Sequence, residues 1–184
     1  MDILNAILSA RNGQAVNTLA SQFGLSSEQT SSAIGALLPA LAGGLQRNVS
    51  QPGGLEALAG ALTSGNHDRY LDDPGRLSSG ETVADGNAIL GHLLGSKDVS
   101  RSVATSAAAS TGLSPDLLKQ LLPFVASLAM GALAKQSAGA GAGNQISPGS
   151  LSGSLGSLSS FLDANRDGSI VDDVLGQAGK LFNR

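Results

Sequence analysis

Apolar residues recur at helical spacing from the first residues of the chain. Ile3, Leu4, Ile7 and Leu8 mark a short helix over 3–10, closed by a turn at Asn12-Gly13. Val16, Leu19, Ala20 and Phe23 fall at i, i+3, i+4 and i+7, so a second helix runs to Gly24, placed for a left-handed stop. Ser26 and Gln29 form a capping box, with Ser26 at N-cap and Gln29 at N3, and open a helix reaching about Arg47. A break over 48–54 contains Pro52-Gly53-Gly54, and 55–62 makes another short helix. Residues 64–75 are polar, carry two tight-turn signals and read as a solvated connector. Helices over 87–94 and 97–110 follow, the first ending at Gly95. Ser114 and Pro115 then set a cap and an N1 proline ahead of a long helix. That helix holds the longest apolar run, 121–134, broken only by Pro123, Ser127 and Gly131. Pro123 is expected to kink it or to move its start.

The second set of helices reads as a copy of the first. Asn5-Ala6-Ile7-Leu8 recurs as Asn87-Ala88-Ile89-Leu90, and Gly24-Leu25-Ser26 recurs 88 residues on as Gly112-Leu113-Ser114. At the same shift Ala33 matches Leu121, Ile34 matches Leu122, Leu37 matches Val125, Leu41 matches Ala129 and Gly43 matches Gly131. Two copies are too few for a solenoid; the pattern predicts a duplicated helical unit whose halves pack on each other. The duplicated domain occupies 1–136, with repeat one over about 5–47 and repeat two over about 87–135.

Residues 137–150 form a Gly/Ala/Ser linker of the flexible kind. A separate tail, 151–184, carries two helical stripes: Leu151, Leu155, Leu158, Phe161 and Leu162, then Ile170, Val174, Leu175, Ala178, Leu181 and Phe182. The fold class expected is all-α, a duplicated multi-helical bundle with a C-terminal helix–loop–helix on a tether.

Composition narrows the function. With 3% aromatics and no Trp, the core must be built from Leu, Ala, Ile and Val. Charged residues are 14%, against roughly 25% in average domains, and a surface so sparsely charged favours self-association. A homo-oligomer or a protein partner is therefore expected. The net charge of −3 gives no attraction to nucleic acid or anionic lipid. The absence of cysteine excludes disulfides, thiolate metal sites and a cysteine nucleophile. The start of the chain lacks a basic n-region, and only fifteen residues separate Lys119 from Lys135, fewer than the ~20 that span a bilayer. A cytoplasmic protein without a transmembrane segment is expected.

The most explicit chemistry lies in the tail loop between the two stripes. An EF-hand loop takes oxygens from positions 1, 3, 5, 7 and 12 and turns on a glycine at 6. Here these are Asp163, Asn165, Asp167, the Ser169 carbonyl and Gly168, with Ile170 at the aliphatic position 8. Position 12 is Val174, and the nearest carboxylates, Asp172 and Asp173, are early and one methylene shorter than Glu. Weak calcium binding is expected, at about 10⁻⁵ M or weaker, and the alternative to a plain assembly protein is a calcium-responsive binding module whose tail docks on a partner. The rival reading is an Asp/Asn turn whose Asp172 and Asp173 favour the N-terminus of a following helix.

Two other patterns carry less. The corners at Ala20-Gly24-Ser26 and Ala108-Gly112-Ser114 have helix-turn-helix spacing, but the exposed start of the first offers no cation, and a plain helical corner is the better reading. His67 with Asp68, Tyr70, Asp72 and Asp73 could form an acid–base cluster for a hydrolase, with His92 the other histidine. No nucleophile elbow, HExxH or phosphate-cradling loop accompanies it, so a solvated inter-repeat turn with a packed tyrosine is the better reading, and no catalytic residue and no enzyme is expected.

The stretch 86–135, GNAILGHLLGSKDVSRSVATSAAASTGLSPDLLKQLLPFVASLAMGALAK, with HDRYLDD before it and the DxNxDGSxxDD tail after it, resembles the bacterial domain-of-unknown-function family 937, the YidB-like proteins. The likeness covers nearly the whole chain. It implies an all-helical, duplicated cytoplasmic protein, and it brings no established activity, substrate or catalytic residue.

Overall fold

The computed structural model describes residues 3–139, all helix, turn and loop. The chain runs through α1 (Ile3–Leu8), α2 (Gln14–Phe23), α3 (Ser27–Val49), α4 (Gly54–Ser64) and α5 (Arg69–Asp72). A single 3-10 turn, Pro74–Ser78, leads to α6 (Gly80–Leu94), α7 (Lys97–Thr111) and α8 (Pro115–Gly139). The linker and the tail expected over 137–184 lie outside the described residues, apart from the last residues of α8.

Local signals place most of the helix ends. Gly24 and Gly112 both adopt the left-handed region, at φ 65° and 70°, and their N–H groups close α2 on Ala20 and α7 on Ala108. Ser26 forms the reciprocal capping box, its side chain accepting from Gln29 N–H at 3.1 Å while Gln29 Oε1 accepts from Ser26 N–H at 3.0 Å. Ser114 accepts from Leu117 N–H at 3.3 Å, with Pro115 as the first residue of α8.

The molecule is built around α8, which packs against α1, α3, α4, α5, α6 and α7. From 121 to 134 every residue of α8 is buried except Ala129, which is half-buried. A helix apolar on all sides needs neighbours on all sides. By length and composition Pro115–Ser137 would also cross a membrane, with a mean hydropathy of 1.6, but 78% of that window is buried within the protein. The paired residues Ala33 and Leu121, Ile34 and Leu122, and Leu37 and Val125 are all fully buried. Phe23 and Phe124 meet edge-on, with centroids 5.4 Å apart, and join α2 to α8.

Three boundaries differ from the sequence reading. Helix α8 is continuous through Pro123, with neither a break nor a later start. The carbonyl that the proline deprives of a donor belongs to Lys119, an exposed residue, where water can take its place. Helix α6 begins at Gly80, seven residues before the expected Asn87, because Thr82 and Gly86 are buried by tertiary contact rather than marked by an apolar stripe. The connector packs its tyrosine, as expected, but it is more than a solvated turn. It folds into α5 and the 3-10 turn and buries His67, Tyr70, Leu71, Pro74 and Leu77.

Candidate functional site

Polar chemistry among the described residues concentrates where the connector meets α6 and α8. Asp68 accepts from Arg69 N–H at 3.1 Å at the start of α5. Asp73 caps the 3-10 turn by accepting from Gly75 N–H at 3.2 Å and pairs with Arg76 at 3.4 Å. Thr82 Oγ1 donates to the Arg76 carbonyl at 2.7 Å and fastens that turn to α6. The Ser127 hydroxyl of α8 reaches the Thr82 carbonyl at 3.4 Å.

Arg69 and Tyr70 form the centre. Glu81 and Asp85 stand one turn apart on α6, and Arg69 Nη2 donates to both, at 3.2 Å and 2.9 Å. The same guanidinium donates to Tyr70 Oη at 2.9 Å and lies over the ring, 4.9 Å from its centroid. The Tyr70 hydroxyl in turn donates to Asp85 Oδ2. The hydrogen bond to Tyr70 holds Arg69 above its ordinary value, so the cation persists. Burial, then the bond to Asp85, pushes the Tyr70 phenol up, so the phenol stays protonated. Asp85 thus accepts from a permanent cation and a neutral hydroxyl, and the three groups are bonded together across two elements, with Arg69 Nε buried without a hydrogen-bond partner.

His67 sits beside this network, its ring 6.3 Å from that of Tyr70 and nearly parallel to it. His67 is 8% exposed, and its Nδ1 is buried without a hydrogen-bond partner. Burial holds its pKa below the ordinary value, helped by Arg69 and opposed by Asp85 and Asp68. Its backbone carbonyl packs against Gly131 of α8, where an added Cβ would lie 2.5 Å from the oxygen. At the far end of α5, Asp72 pairs with Lys135 of α8.

The acid–base cluster drawn from sequence is therefore dispersed. Asp68 and Asp73 cap turns, Asp72 pairs with α8, and the Tyr70 hydroxyl bonds Asp85 and Arg69 while its ring lies beside that of His67. His92 is exposed near the end of α6. Sequence reading missed Glu81 and Asp85, whose i, i+4 spacing was the available signal once α6 was extended to Gly80. The tail residues Asp163, Asn165, Asp167, Ser169, Asp172 and Asp173 lie outside the described residues. Among the described residues no group of three His, Asp or Glu is placed to hold a metal ion. The helix-turn-helix corners are closed locally: Ser27 donates to Asn17 of α2 at 2.8 Å, and the helix after the second corner is the core of the protein.

No curated protein and no solved structure matches the chain. A family model does, over residues 5–136, which spans both sets of helices and the polar corner between them. On that match the chain belongs to the family described as bacterial protein of unknown function, DUF937.

Proposed function

We propose that the chain is a non-enzymatic cytoplasmic interaction or self-assembly protein. A duplicated helical body, with repeats over about 5–47 and 87–135, carries a tail over 151–184 whose loop binds calcium weakly. The observation that carries this reading is the corner at Arg69, Tyr70 and Asp85. Its charged and hydroxyl groups bond one another and clamp the connector to α6, while Asp72 engages α8. Polar groups arranged this way serve folding rather than turnover. The duplication is supported by the matched left-handed stops at Gly24 and Gly112, followed by the serine caps of α3 and α8. Self-assembly is supported by a surface on which charges are few.

The test is mass in solution by light scattering, with calcium and with chelator. A mass above that of one chain is expected, with a difference between the two conditions reporting the tail loop. A monomer up to high micromolar concentration in both conditions overturns assembly.

A further inference from the structure

His67 is buried beside the polar corner, yet no hydrogen bond uses its Nδ1. The other edge of the ring lies against Gly65, where an added Cβ would overlap Nε2. The charges acting on the imidazole are Asp85 of α6 and Arg69 and Asp68 of the connector. Asp85 already accepts from Arg69 and Tyr70, and Asp68 from the Arg69 N–H. From α8, Gly131 meets the His67 carbonyl, and Lys135, one turn further on, is held by Asp72. An imidazolium carries a proton on both nitrogens. In the closed corner Nδ1 would then be a charged donor with no acceptor, a costly state that contact with water relieves.

The stretch that can open is bounded on both sides. It begins after Gly65 at Asn66, a non-glycine residue in the left-handed region at φ 44°. It ends at Asp73, beyond which the 3-10 turn is fastened independently, by Thr82 on the Arg76 carbonyl and by the fully buried Leu77. Between these points the ties to α6 and α8 include Tyr70 on Asp85, Leu71 against Gly131, and the ion pairs of Arg69 and Asp72. Arg69 Nε is buried without a partner as well. Lifting α5 gives water to both unpaired nitrogens, which lowers the cost of a local opening relative to that of unfolding the core.

We propose that residues 66–73 form an acid-released latch: charging His67 lets α5 leave α6 and α8, uncovering Tyr70, Leu71 and the face of α8 at Gly131, while the rest of the molecule stays folded. Hydrogen exchange of the full chain tests it, with rates corrected for the intrinsic effect of pH. The Leu71 and Asp73 N–H groups, which donate to the Asp68 and Arg69 carbonyls, report the latch, and Leu122 in α8 reports the core. Between pH 7.5 and pH 5.5 the protection of Leu71 and Asp73 should fall, by up to about tenfold for each pH unit below 6.5. It should be weaker than that of Leu122 at both values and insensitive to low urea, as a small opening requires. In His67→Asn the fall should vanish. Protection of Leu71 that ignores pH overturns the proposal. So does a fall that matches Leu122 in size and urea dependence, which would mean unfolding of the whole, or one that persists in His67→Asn. Should His67→Asn not fold, His92→Asn leaves His67 as the chain's one imidazole. Its titration by NMR should then track the loss of Leu71 protection, and a titration completed while Leu71 stays protected overturns the latch.

Discussion

Single atoms decide how closely the helices of this protein approach, and the glycines show it most clearly. Gly86 of α6 lies against the backbone of Pro123 in α8, where an added Cβ would meet the carbonyl oxygen at 2.1 Å and Cα at 2.6 Å. Both contacts are backbone, so no rotamer change can relieve them. Gly91, five residues further along the same helix, has open space around the same position. Gly86→Ala should therefore destabilise the protein by about 3 kcal/mol or prevent its folding. Gly91→Ala should stabilise it by up to about 1 kcal/mol by restricting the unfolded chain. Urea unfolding of the two variants checks the opposite signs, and a gain from both would mean that helix propensity, not packing, governs α6. The distinction was not legible in the sequence. The shift of 88 pairs Gly43 with Gly131, yet Gly43 has nothing nearby while Gly131 receives the His67 carbonyl. The match at that shift preserves a letter, but contact with the connector gives only Gly131 a packing role.

Helix ends are set by signals within a few residues, and those were readable. The capping box at Ser26, the stop at Gly24 and the proline at the head of α8 all follow from local geometry. Ser26→Ala removes the acceptor for Gln29 N–H while leaving the buried face of α3 intact. It should cost about 1 kcal/mol of stability, measured as a shift of the urea midpoint with an unchanged slope. No shift would mean that water replaces the cap fully. What could not be read locally is the first half of α6. Residues 80–86 offer only Val83 and Ala84 as apolar markers, and Thr82, fully buried, is held by the Arg76 carbonyl. The connector failed for the same reason. Its polarity predicts solvent, whereas its charges pair with α6 and α8, partners 16 residues away for Arg69 and Asp85 and 63 for Asp72 and Lys135.

Among the described residues, one central helix is held by elements drawn from α1 to α7, and the connector reaches it through His67. The all-helical class and the burial of 121–134 were legible because an uninterrupted apolar run needs a complete surround. The neutral state of His67 was not, because it depends on which neighbours bury it. Its consequence for stability follows from linkage. The unfolded chain binds a proton at His67 near pH 6.5, while the folded protein resists it, since burial lowers the folded pKa. The folded state is therefore favoured by the full contribution above pH 6.5. That contribution is lost as pH falls from 6.5 towards the folded value, at a limiting slope of about 1.4 kcal/mol per pH unit. The groups facing the imidazole are Asp85 of α6 and Arg69 and Asp68 of the connector itself. The two carboxylates oppose the shift and keep the loss below that limit. Urea unfolding at pH 7.5 and pH 5.5 should show the wild type losing more stability than His67→Asn, which cannot titrate there. Parallel losses in the two proteins would mean that the corner opens to solvent before the imidazole is protonated, and that the clamp on α6 and α8 is not tied to His67.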